Sequence, residues 1–260
     1  MKPLLQISGL SRTFGGLRAV QDLSFTVDAG EILGLIGPNG AGKTTVVNLV
    51  SGVIRPTAGR VVFDGEDITA MAPHRLAERG LVRTFQSTAV YASRTVRENA
   101  LRGAFLHRYA GFVASFLGTR HARDMQAQAA ERVDRLLGWL GLHGVADTPA
   151  DALPYGTQKT LGIVIALAAE PRLILLDEPV AGLSAEEVDH VRDTVRRVRE
   201  RGITVVVIDH NMRFISGLCD RVVVASQGQQ LAQGTPREVL SDPRVVEAYL
   251  GKAYAAAGSR

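Results

Sequence analysis

The apolar positions at the N-terminal end follow a period of two. Leu4–Leu10 is short and half apolar, and Ala19–Val27 alternates, with Val20, Leu23, Phe25 and Val27 as its apolar positions. That period belongs to half-buried strands, so both segments are expected to be strands, followed by a turn at Asp28-Ala29-Gly30. Glu31–Ile36 is a compact apolar run bounded by glycines, the composition of a strand covered on both faces. A glycine-rich loop comes next, then helical spacing from Lys43 to Leu49. Val61–Phe63 reads as a further strand that turns at Asp64-Gly65.

From about Ala72 to Leu142 the pattern changes. Leu81–Phe85 fits a strand, whereas Thr95–Leu106 and Ala122–Leu140 carry helical spacing. In the second of these, Met125, Ala129, Val133, Leu136, Leu137 and Leu140 fall on one side. The strand–helix alternation then resumes: Leu173–Leu176, a charged helix over Ala185–Arg201, the β-branched run Ile203–Ile208, and Val222–Ala225. Alternation with buried β-branched strands predicts an α/β fold whose core is a mostly parallel sheet with flanking helices. An N-terminal antiparallel β subdomain and an inserted helical subdomain, about residues 87–170, complete the expectation. One domain is expected over 1–252, and Ala253–Arg260 reads as a flexible tail. No repeat or low-complexity segment interrupts the chain.

Bulk properties narrow the picture slightly. The 260 residues suffice for one large α/β domain, and 46% apolar with 22% charged residues is ordinary for a soluble globular chain. The formal charge of +4 is spread along the sequence. It suits nucleic acid, an anionic membrane face or a phosphate ligand alike, and selects none of them. The one cysteine, Cys219, excludes an intrachain disulfide, fits a reducing cytoplasm and reads as a small buried residue. The N-terminus has no signal-peptide pattern. The longest apolar candidate, Tyr109–Leu117, is too short to span a bilayer, which needs about 20 residues. A role in transport therefore requires another chain to cross the membrane.

The chemistry begins at Gly37-Pro38-Asn39-Gly40-Ala41-Gly42-Lys43-Thr44. This matches G-x-x-x-x-G-K-[ST] between an expected buried strand and an expected helix, the context that gives the phosphate-loop motif its meaning. Its glycines let the backbone approach phosphates closely, and successive N–H groups with the helix N-terminus face the negative charge. Lys43 can reach the β- and γ-phosphates of ATP, and the Thr44 hydroxyl can bind Mg²⁺. Thr45 belongs to the same nucleotide-binding set. At the end of Leu173–Leu176 stand Asp177, a candidate Mg²⁺ holder, and Glu178, a candidate to orient or deprotonate the attacking water. His210 follows Ile203–Ile208, and a parallel sheet would bring it to the same edge as Glu178. Gln86 follows Leu81–Phe85, where its amide can bind Mg²⁺ or water and sense the γ-phosphate.

The order of these pieces carries a resemblance. After the phosphate loop come Gln86 behind Arg83-Thr84-Phe85, then Leu153-Pro154-Tyr155-Gly156-Thr157-Gln158, Leu175-Leu176-Asp177-Glu178-Pro179, Ala181-Gly182-Leu183-Ser184, and His210. Over nearly its whole length the chain resembles the ATP-binding subunit of an ABC transporter. The resemblance implies a P-loop NTPase core that binds and hydrolyses ATP with Mg²⁺. It also implies a pair of subunits clamping two nucleotides head to tail, the phosphate loop of one facing the signature segment of the other. It assigns Phe14 to adenine stacking, Gln86 to coupling, Glu178 to the catalytic base, His210 to the switch histidine, and Ala181–Ser184 to communication across the dimer.

The signature segment departs from the family's Leu-Ser-Gly-Gly-Gln. Pro154 lacks a hydroxyl and an N–H, and Tyr155 is bulkier than glycine. Tyr155, Gly156 and Thr157 remain as candidate contacts to a nucleotide, with Gly156 opening a helix. Two readings stay open: a weakened composite site, or substitution by the backbone and Thr157. Thr13-Phe14-Gly15-Gly16-Leu17, Val82–Gln86, Pro179–Leu183, Asp209-His210-Asn211-Met212 and Ala248-Tyr249-Leu250-Gly251 further resemble the branched-chain amino acid importer group. That group carries branched-chain amino acids, amides, urea and aromatic acids, and this chain resembles the longer of its two ATPases. The implied partners are a second ATP-binding subunit, more often a different one, two transmembrane permeases and, indirectly, an extracytoplasmic substrate-binding protein, with no nucleic acid. The implied place is the cytoplasmic face of a bacterial or archaeal inner membrane. The ATPase of lipopolysaccharide export is the alternative within the superfamily. A soluble ABC ATPase of DNA repair or translation would need a long coiled-coil insert or a second ATP-binding half.

Overall fold

The computed structural model describes residues 2–84, 90–107 and 120–250. The chain runs β1 (Leu5–Phe14), β2 (Leu17–Val27), β3 (Ile32–Ile36), α1 (Lys43–Val50), β4 (Ala58–Phe63), β5 (Glu66–Asp67), α2 (Pro73–Glu78), β6 (Leu81–Thr84), α3 (Val96–His107) and α4 (Arg120–Trp139). It continues with α5 (Tyr155–Ala168), β7 (Leu173–Asp177), α6 (Ala185–Glu200), β8 (Thr204–Ile208), α7 (Met212–Leu218), β9 (Arg221–Ser226), β10 (Gln229–Gly234), α8 (Pro236–Ser241) and α9 (Pro243–Leu250).

Two sheets result. One has the order β2-β1-β4-β5 and is antiparallel throughout; the other has the order β10-β9-β3-β8-β7-β6. In the second, β9, β3, β8, β7 and β6 are parallel neighbours, and only β10 runs against β9. The period of two then sorts side chains to two faces. Leu33 and Leu35 of β3, Leu173 and Leu175 of β7, and Val206 and Ile208 of β8 face the antiparallel sheet, with α1 between. Ile32 and Ile36, Ile174 and Leu176, and Val205 and Val207 face the opposite way, toward α5, α6 and α7. Continuous apolar runs in β3, β7 and β8 therefore mark strands covered on both faces, as the sequence pattern predicted. A Cβ on Gly34 of β3 would press on Cys219 Sγ at 3.1 Å and Val222 Cγ2 at 3.3 Å, so a side chain there requires its neighbours to shift.

The segment expected to be helical holds α3, α4 and α5. Their buried residues Val96, Ala100, Val133, Leu137, Leu161 and Val164 join the same apolar cluster as one face of the parallel sheet. α3 meets α5 so closely that a Cβ on Gly103 would fall into the Ile165 carbonyl oxygen.

Several elements differ from the expected pattern. β1 extends past Leu10 to Phe14, with register shifts that let it bend between two partners. β10, Gln229-Gln230-Leu231-Ala232-Gln233-Gly234, is an edge strand too polar to announce itself. α2, α8 and α9 are only 6, 6 and 8 residues long, too short for a repeated helical pattern; proline opens α2 and α8 at the position where a missing N–H costs nothing. The expected tail Ala253–Arg260 lies outside the described residues.

Candidate functional site

β3, β7 and β8 end at one edge of the parallel sheet. The register pairs Leu35 with Ile208 and Ile208 with Asp177, so the loop after β3 and the turns after β7 and β8 share the crevice where open α/β sheets hold their ligands. A cleft of about 760 Å³ opens there. Asn39 through Thr45 line it, together with Glu178, Leu17, Arg18, Gln227 and Gly228.

The loop is built by close approaches that exclude a side chain. Gly42 caps α1 in the left-handed region at φ 94°, and a Cβ there would fall into the Ala19 carbonyl oxygen. A Cβ on Gly37 would likewise fall into the Ala225 carbonyl oxygen. The loop is thus clamped between β2 and β9, and the Ala41 N–H closes it by donating to Pro38 O at 3.1 Å. Lys43 Nζ donates to the carbonyl oxygens of Gly37 at 2.6 Å and Pro38 at 3.0 Å. Burial lowers the Lys43 pKa, against the opposing attraction of the Glu178 and Asp209 carboxylates. Lys43 is therefore a cation with two acids in electrostatic range.

Asp177 ends β7 and is 3% exposed. Its Oδ2 receives Arg83 Nη2 at 2.8 Å, while Arg83 Nη1 reaches Asn48 Oδ1 at 2.6 Å and Ser51 Oγ at 3.2 Å. One guanidinium on β6 so ties the end of β7 to α1, the helix that follows the phosphate loop. The motif reading passed over Arg83 as a positioning group; the signal was a cation at the third position of the short run Leu81–Phe85 before Gln86. Gln86 itself lies outside the described residues.

Glu178 adopts φ 48°, left-handed for a residue with a Cβ. Its N–H donates to Ile208 O at 2.8 Å, and its own carbonyl accepts Lys159 Nζ at 3.3 Å. The strained turn carries the half-buried Glu178 to the wall of the cleft. His210 stands at the same sheet edge on the end of β8, but its side chain is 60% exposed and does not line the cleft. Phe14, 43% exposed, is also off the cleft wall, with the Arg12 guanidinium 4.6 Å from its ring centre. The cleft is instead reached by Leu17 and Arg18, just beyond the hairpin turn between β1 and β2.

Tyr155, Gly156 and Thr157 open α5 and do not line the cleft either. Pro154 occupies the cap position, where its missing N–H is harmless. The Gly156 N–H donates to Glu187 Oε1 at 3.1 Å, and the other oxygen of Glu187 accepts from Ser184 N and Oγ, both at 2.9 Å. One carboxylate thus caps α5 and closes the capping box of α6. These hydrogen bonds, first the Ser184 N–H, hold Glu187 below the usual carboxylate range.

For Mg²⁺ the donor chemistry fits: Thr44 offers a hydroxyl on the cleft wall, and Asp177 a carboxylate at the adjacent strand end that lies off the cleft wall with its Oδ2 on Arg83, both hard oxygen ligands. Among the described residues no group of three or more His, Cys, Asp or Glu could hold a metal by itself.

Two family models match the chain. One, described as ABC transporter, covers residues 20–181, and another, described as branched-chain amino acid ATP-binding cassette transporter, covers 229–255. The chain is 38% identical to the high-affinity branched-chain amino acid transport ATP-binding protein BraF of Pseudomonas aeruginosa, over 97% of this chain and 99% of that one. It is 36% identical to the counterpart LivG of Escherichia coli K12, with the same coverage. The lipopolysaccharide export system ATP-binding protein LptB of Acidithiobacillus ferridurans is 36% identical over 98% of this chain and 99% of that one. Among solved structures, a nucleotide-free ATP-binding cassette from an ABC transporter superposes with a TM-score of 0.85 at 31% identity, covering 96% of this chain and all of that one. An ADP conformation of such a cassette gives 0.85 at 30%, covering 97% of this chain and all of that one.

Proposed function

This chain belongs to the ABC transporter family of ATP-binding proteins and is an ATPase that works on ATP with Mg²⁺; from that premise we propose that it powers uptake of branched-chain amino acids or a related small solute through separate permeases. The observation that carries the importer reading is the branched-chain family match over 229–255, the stretch from β10 onward that lies outside the general ATP-binding match. No helix among the described residues is long and apolar enough to cross a membrane. The proposal therefore places the chain on the cytoplasmic face of the membrane, with transmembrane subunits supplied by other chains.

In the proposed mechanism the phosphate-loop N–H groups and Lys43 bind the β- and γ-phosphates and draw charge off the transferring group. Thr44 and Asp177 would hold Mg²⁺, which supplies charge neutralisation on the phosphates, and Gln86 is assigned to the same cation. Glu178 accepts the proton of the attacking water; its place on the cleft wall beside Lys43 supports that role. His210 is assigned to the γ-phosphate side, and Phe14 to the adenine. Each completes the site through rearrangement or a second subunit, since neither lines the cleft of this chain. Tyr155, Gly156 and Thr157 do not line their own cleft, which supports a head-to-tail pair in which they meet the partner's nucleotide. The Glu187 carboxylate already on the Gly156 N–H favours the weakened composite site of the two readings, because it opposes a second anion there.

The lipopolysaccharide reading draws support from the 36% identity to LptB. One experiment separates the two. The chain is co-purified with the permeases encoded beside it, placed in proteoliposomes with the neighbouring binding protein, and supplied with labelled leucine and ATP. The proposal predicts ATP-dependent accumulation of leucine. ATP-dependent extraction of lipopolysaccharide without solute uptake contradicts it.

A further inference from the structure

Asp209 is 1% exposed and lies between the two turns that carry Glu178 and His210. Its Oδ1 accepts the N–H of His210 at 2.8 Å and of Asn211 at 2.9 Å. Its Oδ2 accepts the N–H of Val180, two residues beyond Glu178, at 3.4 Å. Burial pushes its pKa up, the hydrogen bonds oppose that, and its charge is felt at Lys43. A buried carboxylate is costly unless its oxygens are hydrogen-bonded. A neutral amide at this place has one acceptor oxygen and would turn its NH₂ toward either Val180 or the His210 pair. Only a carboxylate accepts from both turns at once.

The same two turns are joined a second time. The Glu178 N–H donates to Ile208 O at 2.8 Å, directly before Asp209. Among the described residues the His210 ring has no comparable grip: Nδ1 is 3.9 Å from Asp209 Oδ1, beyond hydrogen-bond range. The hold on His210 therefore passes through its backbone, and so through Asp209. On the far side Asn211 caps α7 by accepting the Phe214 N–H at 3.0 Å, which anchors the segment to a helix.

We propose that Asp209 is a positioning residue for ATP hydrolysis: its carboxylate locks the Glu178-Pro179-Val180 turn to the His210 segment, so that base and histidine move as one unit. This rests on the assignment of Glu178 and His210 as the hydrolytic pair. Asp209 touches neither substrate nor the reacting atoms. Its hydrogen bonds go to the two turns rather than to the phosphate loop, and its charge reaches Lys43 only through space, so turnover should fall far more than nucleotide binding.

The test uses the full-length chain purified with the subunits that accompany it. Asp209→Asn keeps the Oδ1 contacts to His210 and Asn211 and sets an NH₂ against the Val180 N–H. MgATP binding stoichiometry counts the folded molecules, and kcat is expressed per bound nucleotide. The expected result is KM within about two-fold of wild type and kcat lower by about ten-fold or more. The double variant Asp209→Asn with His210→Ala should be no more than about two-fold slower than His210→Ala alone, because the two residues act in series. A kcat within two-fold of wild type, a rise in KM alone, or full additivity with His210→Ala overturns the proposal. If Asp209→Asn does not fold, Asp209→Ser must give the same kcat loss at retained binding. In the wild type the amide protons of Val180, His210 and Asn211 must be protected from exchange; free exchange at these amides overturns the lock. Glu178→Gln and His210→Ala serve as controls. Wild-type turnover in those two sinks the site assignment, and the proposal with it, whereas normal controls with an unaffected Asp209→Asn sink the proposal alone.

Discussion

Arg83 Nη2 lies 2.8 Å from Asp177 Oδ2, and the two side chains are only 10% and 1% exposed. The pair joins β6, which leads to Gln86, with β7, which leads to Glu178. Removing the guanidinium strands a buried carboxylate, and such half-pairs cost about 3–5 kcal/mol. Arg83→Met should lower unfolding stability in urea by about that amount. Arg83→Lys should recover only part, since one ammonium cannot span Asp177, Asn48 and Ser51 as the planar fork does. A loss below about 1 kcal/mol for Arg83→Met would mean that the pair is not a structural joint.

Lys43→Ala removes the one side-chain cation of the phosphate loop. Nucleotide affinity, measured by titration with a fluorescent ATP analogue, should fall by about ten-fold or more, because a charge-assisted contact to phosphate is lost. The fold should persist, as among the described residues the Lys43 ammonium bonds to the loop carbonyls of Gly37 and Pro38. Unchanged affinity would remove Lys43 from the nucleotide site.

Acid stability follows from the cap carboxylates. Hydrogen bonding from the Thr235 N–H holds Glu238 below its ordinary value of 4.5, and the Thr95 N–H does the same for Glu98. For an acid whose pKa is lowered on folding, the stabilisation is complete above the unfolded value and is lost as the pH falls through the folded one. Glu238→Ala should therefore lower the urea midpoint at pH 7, and the gap to wild type should shrink at pH 3. A gap independent of pH would assign the effect to packing. Asp209 has the opposite sign: burial raises its pKa, so its contribution is present below the unfolded value and lost as pH rises through the folded one.

Much of the parallel core was legible because both-face burial leaves near-continuous apolar runs, which became the strands Ile32–Ile36, Leu173–Asp177 and Thr204–Ile208. The strand ends then placed Glu178 and His210 on one edge without further information. What was not legible depends on long-range partners. Arg83 carries no visible partner in the sequence until β6 is set beside β7 and its guanidinium meets Asp177. Glu187 reads as a helix-start acid until α5 brings Gly156 to it. Leu17 and Arg18 join the cleft wall because the β1–β2 hairpin folds over the phosphate loop, and no local pattern encodes that approach. The polar edge strand β10 has too little apolar alternation to stand out from a loop.

The central claim is that Glu178, on its strained turn at the cleft wall, deprotonates the water that attacks ATP. MgATP turnover of Glu178→Gln beside wild type, with nucleotide binding measured on the same samples, tests it most directly. The account predicts binding within about two-fold of wild type and turnover lower by about a hundred-fold or more, within the range of a lost general base. Turnover at the wild-type rate with binding intact would contradict it.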